Sequence, residues 1–125
     1  MKCDDAGRPV GAAFMLRPKE SYLSVNWLEC TGPSSRKEQL EIVRKHLTDK
    51  GRKLTANGRL AVLHLKTVFD FIETETPDSR RITAHHEPEL PHDPSHSGIY
   101  GYNAHDGLIG DLIAEVVHEH YAARS

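Results

Sequence analysis

Residues 22–50 read YLSVNWLECTGPSSRKEQLEIVRKHLTDK, and this stretch carries both periodicities that decide the fold class. From Tyr22 to Glu29 the chain alternates, with Leu23, Val25 and Trp27 on one side and Tyr22, Ser24 and Asn26 on the other. A period of two belongs to a half-buried strand, and Trp27, the single tryptophan, is expected to anchor the core. Thr31-Gly32-Pro33-Ser34-Ser35 then breaks the strand. Ser35 with Glu38 forms a capping box, in which each side chain bonds the other residue's backbone N–H at a helix start. Leu40, Val43 and Leu47, with Ile42 beside them, recur at helical spacing, and Gly51 suits the left-handed residue that ends a helix. A helix over about 36–50 is predicted, with Lys37, Glu41, Arg44, Lys45 and Lys50 on a solvated face.

Working outward, residues 1–10 are polar with Gly7 and Pro9 and are expected to form a loose arm before one domain over 11–125. Ala12 to Leu16 reads as a first strand, stopped by Arg17-Pro18, because a proline holds the preceding residue extended. On the other side, Asn57-Gly58 makes a tight turn into Leu60–Leu65, an apolar run of the kind found in central strands. A short helix near 66–73 follows, carried by Val68, Phe69 and Ile72. Arg81–Glu87 and Ser97–Tyr102 read as further strands, separated by the irregular stretch that Pro88, Pro91 and Pro94 impose. Leu108, Ile109, Leu112, Ile113, Val116, Val117 and Tyr121 describe a helical apolar stripe over about 106–122. The predicted class is α+β, with a small mixed or antiparallel sheet of about four to five strands and two main helices.

At 125 residues and 38% hydrophobic content, the chain can bury one core. A net charge of -2 supplies no field that would gather nucleic acid. Cys3 and Cys30 have neither metal-ligand spacing nor the density of a disulfide framework. No apolar run approaches the roughly 18 residues that cross a bilayer, and Asp4 and Asp5 stand where a signal peptide would be basic. A cytoplasmic protein is expected.

The chemistry concentrates between His85 and His105. His85, His86, Glu87, Glu89, His92, Asp93 and His96 crowd imidazoles and carboxylates into a dozen positions, and His105-Asp106 follows a glycine-flanked turn. Imidazole carries protons near neutral pH and binds borderline metals, so His96, His92, His86 and His105 are the candidate catalytic residues. A divalent metal is the cofactor class to consider, although the spacing matches no metal signature. The plainer alternative is a polar surface loop whose histidines cap turns. His92-Asp93 and His105-Asp106 share letters with the doublets of metal-dependent phosphohydrolases, but sit in or beside turns rather than in a helical bundle. Ser97 and Gly98 let a backbone approach an anionic ligand, with Arg17, Arg80 and Arg81 as candidates for the counter-charge. Glu115 and His118 have di-iron spacing without the second helix that such a site needs. His120 is expected to pack on the apolar stripe of the last helix. Nucleotide fingerprints and nucleophile elbows are absent from the sequence.

Leu16-Arg17-Pro18-Lys19, Leu23-Ser24-Val25-Asn26-Trp27-Leu28-Glu29 and Asp93-Pro94-Ser95-His96-Ser97-Gly98-Ile99 together resemble a group of short bacterial proteins of unknown function. That resemblance spans the chain from the first strand to the proline–histidine loop and carries no catalytic residue. Three functions are compatible with the sequence. One is a binding module recognising a protein partner or small anionic ligand through 85–105. Another is a histidine-dependent hydrolase or nuclease-like enzyme acting on a phosphoester. The last is a homodimer formed through the terminal helix.

Overall fold

The computed structural model describes residues 2–124. Its elements run β1 (Leu23–Asn26), α1 (Arg36–Asp49), β2 (Arg59–Val62), α2 (Leu65–Glu75), β3 (Thr83–His86), β4 (His96–Tyr100), α3 (Gly107–Glu115) and β5 (Glu119–Ala122). The class is α+β, with all five strands antiparallel in two separate sheets. One sheet has the order β1-β4-β3 and the other pairs β2 with β5.

Helix α1 forms as its caps predict: the Ser35 hydroxyl accepts the Glu38 N–H at 3.1 Å, and Gly51 follows the last turn at φ +90, a left-handed geometry that glycine adopts without strain. Helix α2 ends where the buried Thr76 hydroxyl donates to the Ile72 carbonyl at 2.7 Å and accepts the Arg80 N–H at 2.7 Å. Val68 and Ile72 of α2, Ile99 of β4, Ile109 and Ile113 of α3, and Phe14 meet in one cluster. Each such side chain removed from water contributes about 1.5–3 kcal/mol.

The register gives the three-stranded sheet two unlike faces. Cross-strand partners share a face, so Leu23 with Ile99 and Val25 with Ser97 lie toward the core, whereas Ser24 with Gly98 and Asn26 with His96 lie on the opposite, polar face. His85 joins that polar face through Gly98. The loop between β3 and β4 folds back over it, closed by reciprocal backbone bonds between Glu89 and Asp93 at 2.9 and 2.8 Å.

Several expectations are corrected. The terminal helix does not reach residue 122: α3 stops at Glu115, and Glu119–Ala122 becomes β5. Val116, Val117 and Tyr121 do continue a helical stripe, but β2 needs a ladder partner, and pairing Leu60 with Tyr121 and Ala61 with His120 supplies one. His120 therefore bonds Arg59 across the ladder at 2.9 Å, not an apolar helix face, and β2 is not a central strand. Ala12–Leu16 is not a strand either. Gly11–Phe14 forms a single 3-10 turn on α3, where a Cβ on Gly110 would stand 2.7 Å from the Gly11 carbonyl oxygen. Trp27 does not anchor the core: it lies one residue beyond β1, at the entry to the 3-10 turn Leu28–Thr31, and is 48% exposed. Lys50 and Arg44 leave the solvated face, with side chains only 15% and 14% exposed.

Arg44 donates to the carbonyls of Ala122 and Ala123 and so ties α1 to β5. At the amino end, residues 3 and 9 form an isolated antiparallel bridge, and Pro9 is buried.

Candidate functional site: a carboxylate clasp beneath the proline–histidine loop

At the turn between β3 and β4 the chain buries a carboxylate completely. Asp93 has no solvent exposure, and an isolated charge there would be very unfavourable. Partners from the end of α1 and from β1 compensate. The Lys50 ammonium, one residue past α1, donates to Asp93 Oδ2 at 2.5 Å, while the Asn26 amide of β1 donates to Oδ1 at 2.7 Å. His46, one turn back along α1, places Nδ1 3.9 Å from Oδ1, which exceeds hydrogen-bond distance. That nitrogen is buried and has no partner. Lys50 also bonds Glu89 at 2.7 Å, so one ammonium bridges both edges of the loop. Burial opposes the charge on Lys50, yet its bonds to Asp93 and Glu89 prevail and raise its pKa. The same bond from Lys50 holds the Glu89 carboxyl below its usual range.

His96 sits beside this clasp on the polar face and is 3% exposed. Both ring nitrogens are engaged: Nδ1 with the Glu87 carbonyl at 2.8 Å and Nε2 with the Ser24 hydroxyl at 3.3 Å. Glu89 lies 3.7 Å from Nε2. The Asn26 amide also reaches the Ser95 hydroxyl at 3.0 Å, and the buried Ser97 hydroxyl donates to the Ser95 carbonyl. Above Gly98 the space is already filled, since a Cβ would come within 2.8 Å of Glu87, Tyr100 and Tyr22. Tyr100 donates to Glu87 at 2.5 Å, a bond that pushes its own pKa up to about 12.

Of the residues singled out from sequence, the fold gathers Glu87, Glu89, Asp93, His96, Ser97 and Gly98 here and disperses His86, His92, His105, Arg17 and Arg81. His86 is exposed on β3, where its Nε2 meets the Pro94 carbonyl at 2.8 Å and its ring stands edge-on to Trp27 at 5.3 Å. His92 is exposed at the tip of the loop, close enough to Asp49 to favour that carboxylate's ionised form, although the Lys45 bond dominates there. His105 lies in the turn before α3, next to Asp106. The Asn103 N–H and Arg80 hold the Asp106 carboxyl below its usual range. Arg80, Asp106 and Leu108 line an open depression of about 250 Å³ between α2 and α3, distinct from the clasp. Arg17 is exposed in a turn closed by Glu20, and Arg81 is 85% exposed with only Glu73 nearby, at 3.8 Å.

Among the described residues, no three histidine, cysteine, aspartate or glutamate side chains are grouped to hold a metal ion, and no helix is long and apolar enough to cross a membrane. Sequence reasoning missed Lys50, His46 and Asn26, whose local patterns are those of an ordinary helix and strand. The available signal was Asp93 itself, set between Pro91 and Pro94, where a carboxylate turned inward needs a distant cation. No protein-family model, curated protein or solved structure matches the chain.

Proposed function

We propose that this chain is a binding module that recognises a protein partner through the rim of the proline–histidine loop, with Trp27, His86, Leu90 and His92 as the contact residues. One observation carries the reading. Lys50, Glu89, Asp93 and His96 are held by hydrogen bonds within the protein, while Trp27 and Leu90, attached to the two segments that the clasp joins, are 48% and 75% exposed. Rigid display of a large aromatic side chain is what an interface centre requires, because little side-chain entropy remains to be lost on binding. An anion is the less suitable ligand, since Arg17 and Arg81 stand apart from Ser97 and Gly98.

The test is photo-crosslinking in cells. A photo-activatable residue at position 90 is expected to give one dominant adduct that disappears with Trp27→Ala. The same residue at Lys66, whose side chain is 89% exposed on α2, should give none. Lack of an adduct at 90, or an equal one at 66, would sink the reading.

A second reading, a histidine-dependent phosphoester hydrolase, draws support from His46, whose Nδ1 is buried beside Asp93 without a hydrogen-bond partner among the described residues. It predicts phosphodiesterase turnover that His46→Ala and His96→Ala abolish at unchanged melting temperature. An inactive parent protein removes it.

A further inference from the structure

We propose that the partner is taken up as an added strand, in which an extended acidic segment of another protein pairs with the free edge of β3. This rests on the reading of the loop rim as a partner surface, and it specifies how the partner is held.

The sheet order β1-β4-β3 leaves β3 bonded on one side only. The Glu87 N–H donates to the His96 carbonyl at 2.9 Å, which sets the phase of the ladder. In an antiparallel pair, residues alternate between those that exchange bonds and those whose N–H and C=O point away. Glu87, His85 and Thr83 therefore bond β4, and Ala84 and His86 direct their backbone donors and acceptors to the open side. All four strand residues are exposed. Natural edges are usually blunted with lysine, proline, a bulge or an inward charge. Thr83–His86 contains none of these, and its register with residues 97–100 is unbroken.

Charge selects the occupant. From Arg80 to His86 the chain reads Arg-Arg-Ile-Thr-Ala-His-His, with two guanidiniums, two imidazoles and no carboxylate. Arg80 is engaged with Asp78, Asp106 and the Gly101 carbonyl, whereas Arg81 keeps an 85% exposed side chain, with Glu73 3.8 Å away, beyond hydrogen-bond distance. A strand laid along β3 passes Arg81 at one end and His86, whose ring stands edge-on to Trp27, at the other. An acidic side chain suits the first and an apolar one the second. Main-chain bonds supply the affinity in such additions, and flanking side chains supply the specificity. A second copy of this chain fits less well, because it sets one carboxylate-free edge against another.

The probe is a blocked octapeptide of alternating valine and glutamate, titrated into the ¹⁵N-labelled protein, with the valine–lysine peptide as control. Expected are saturable shifts and about tenfold or greater slowing of hydrogen exchange at the Ala84 and His86 amides, no response to the lysine peptide, and at least about tenfold weaker binding by Arg81→Glu. Ala84→Pro removes an outward N–H without touching the bond to β4, so it should abolish binding while leaving melting unchanged. Should that variant unfold, the exchange pattern of the parent protein decides alone. Unaltered exchange at 84 and 86, equal response to both peptides, or full binding by a folded Ala84→Pro overturns the inference. So does peptide-free dimerisation that Ala84→Pro removes, which would assign the edge to a second copy. If the adduct at position 90 forms while β3 stays silent, strand addition alone fails; if both are silent, the loop reading fails with it.

Discussion

Helix α1 is fastened to the rest of the molecule at both ends by an ion pair, and the two fastenings are built differently. At the amino end, Arg36 donates to Glu119 of β5 at 2.6 Å, and the Tyr121 hydroxyl and His64 complete the group. Both charged side chains there keep a quarter to a third of their exposure. Past the carboxyl end, Lys50 meets an aspartate with none. Water can replace any lost partner of Glu119, but nothing can replace a lost partner of Asp93. The first arrangement is an adjustable surface contact, whereas the second commits the whole loop to one conformation.

That contrast can be broken or sharpened in four ways. The largest effect is expected from Asp93→Ala, which leaves the largely buried Lys50 ammonium with Glu89 as its remaining carboxylate and the Asn26 amide short of an acceptor. Urea unfolding should report a loss of roughly 3–5 kcal/mol. Adding Lys50→Met should recover part of it, since the two changes remove one interaction. Strict additivity would show that the pair does not hold the loop.

pH separates the two ends next. Lys50 has a raised pKa in the folded state, so its contribution is complete below the ordinary lysine value of 10.5 and is lost as pH climbs through the higher folded value. Lys50→Arg keeps a cation at the buried end and should remove that end's share of the alkaline destabilisation, leaving the share of Tyr121, whose bond to Glu119 raises its own pKa at the other end, as followed by melting temperature. On the acid side, Glu89 and Glu119 both have lowered pKa values. Lys50 is the main cause for Glu89; for Glu119, burial opposes the shift and the bonds from Tyr121 and Arg36 outweigh it. Their contributions are present above 4.5 and fade as pH falls through the lower folded values. An acid limb unchanged by Glu89→Gln plus Glu119→Gln would contradict this.

Glu119→Gln at neutral pH should reduce stability by no more than about 1 kcal/mol, and by less in molar salt, because exposed pairs are screened. The smallest effect is expected for Leu90→Ser, within about 0.5 kcal/mol, even though it sits on the loop that the buried end holds. A larger loss would mean that Leu90 packs against the protein instead of facing a partner.

The parts of this fold legible in the sequence are those specified locally. Ser35 and Glu38 announce α1, the alternation of Leu23 and Val25 announces β1, and Pro88 to Pro94 announce an irregular connection. What local pattern conceals is pairing across distance. Glu119–Ala122 is helical by periodicity and extended by virtue of β2, some sixty residues away (Leu60 opposite Tyr121). Trp27 follows the right alternation but lies beyond the covered sheet. The importance of His96 could be read from its crowded neighbourhood, but its immobilisation by the Glu87 carbonyl and Ser24 could not. Lys50 resembles any solvated helix-end lysine until Asp93 is placed beside it.

The close approach of Gly11 and Gly110 bears on how the molecule comes into being. The 3-10 turn at 11–14 packs on a helix that begins almost a hundred residues later, so this joint cannot form on a ribosome until α3 has emerged. Until then Phe14 and Leu16 wait uncovered. Contacts of such long sequence separation slow folding, and the amino-terminal apolar residues are where a nascent chain of this protein would most need shielding from its neighbours.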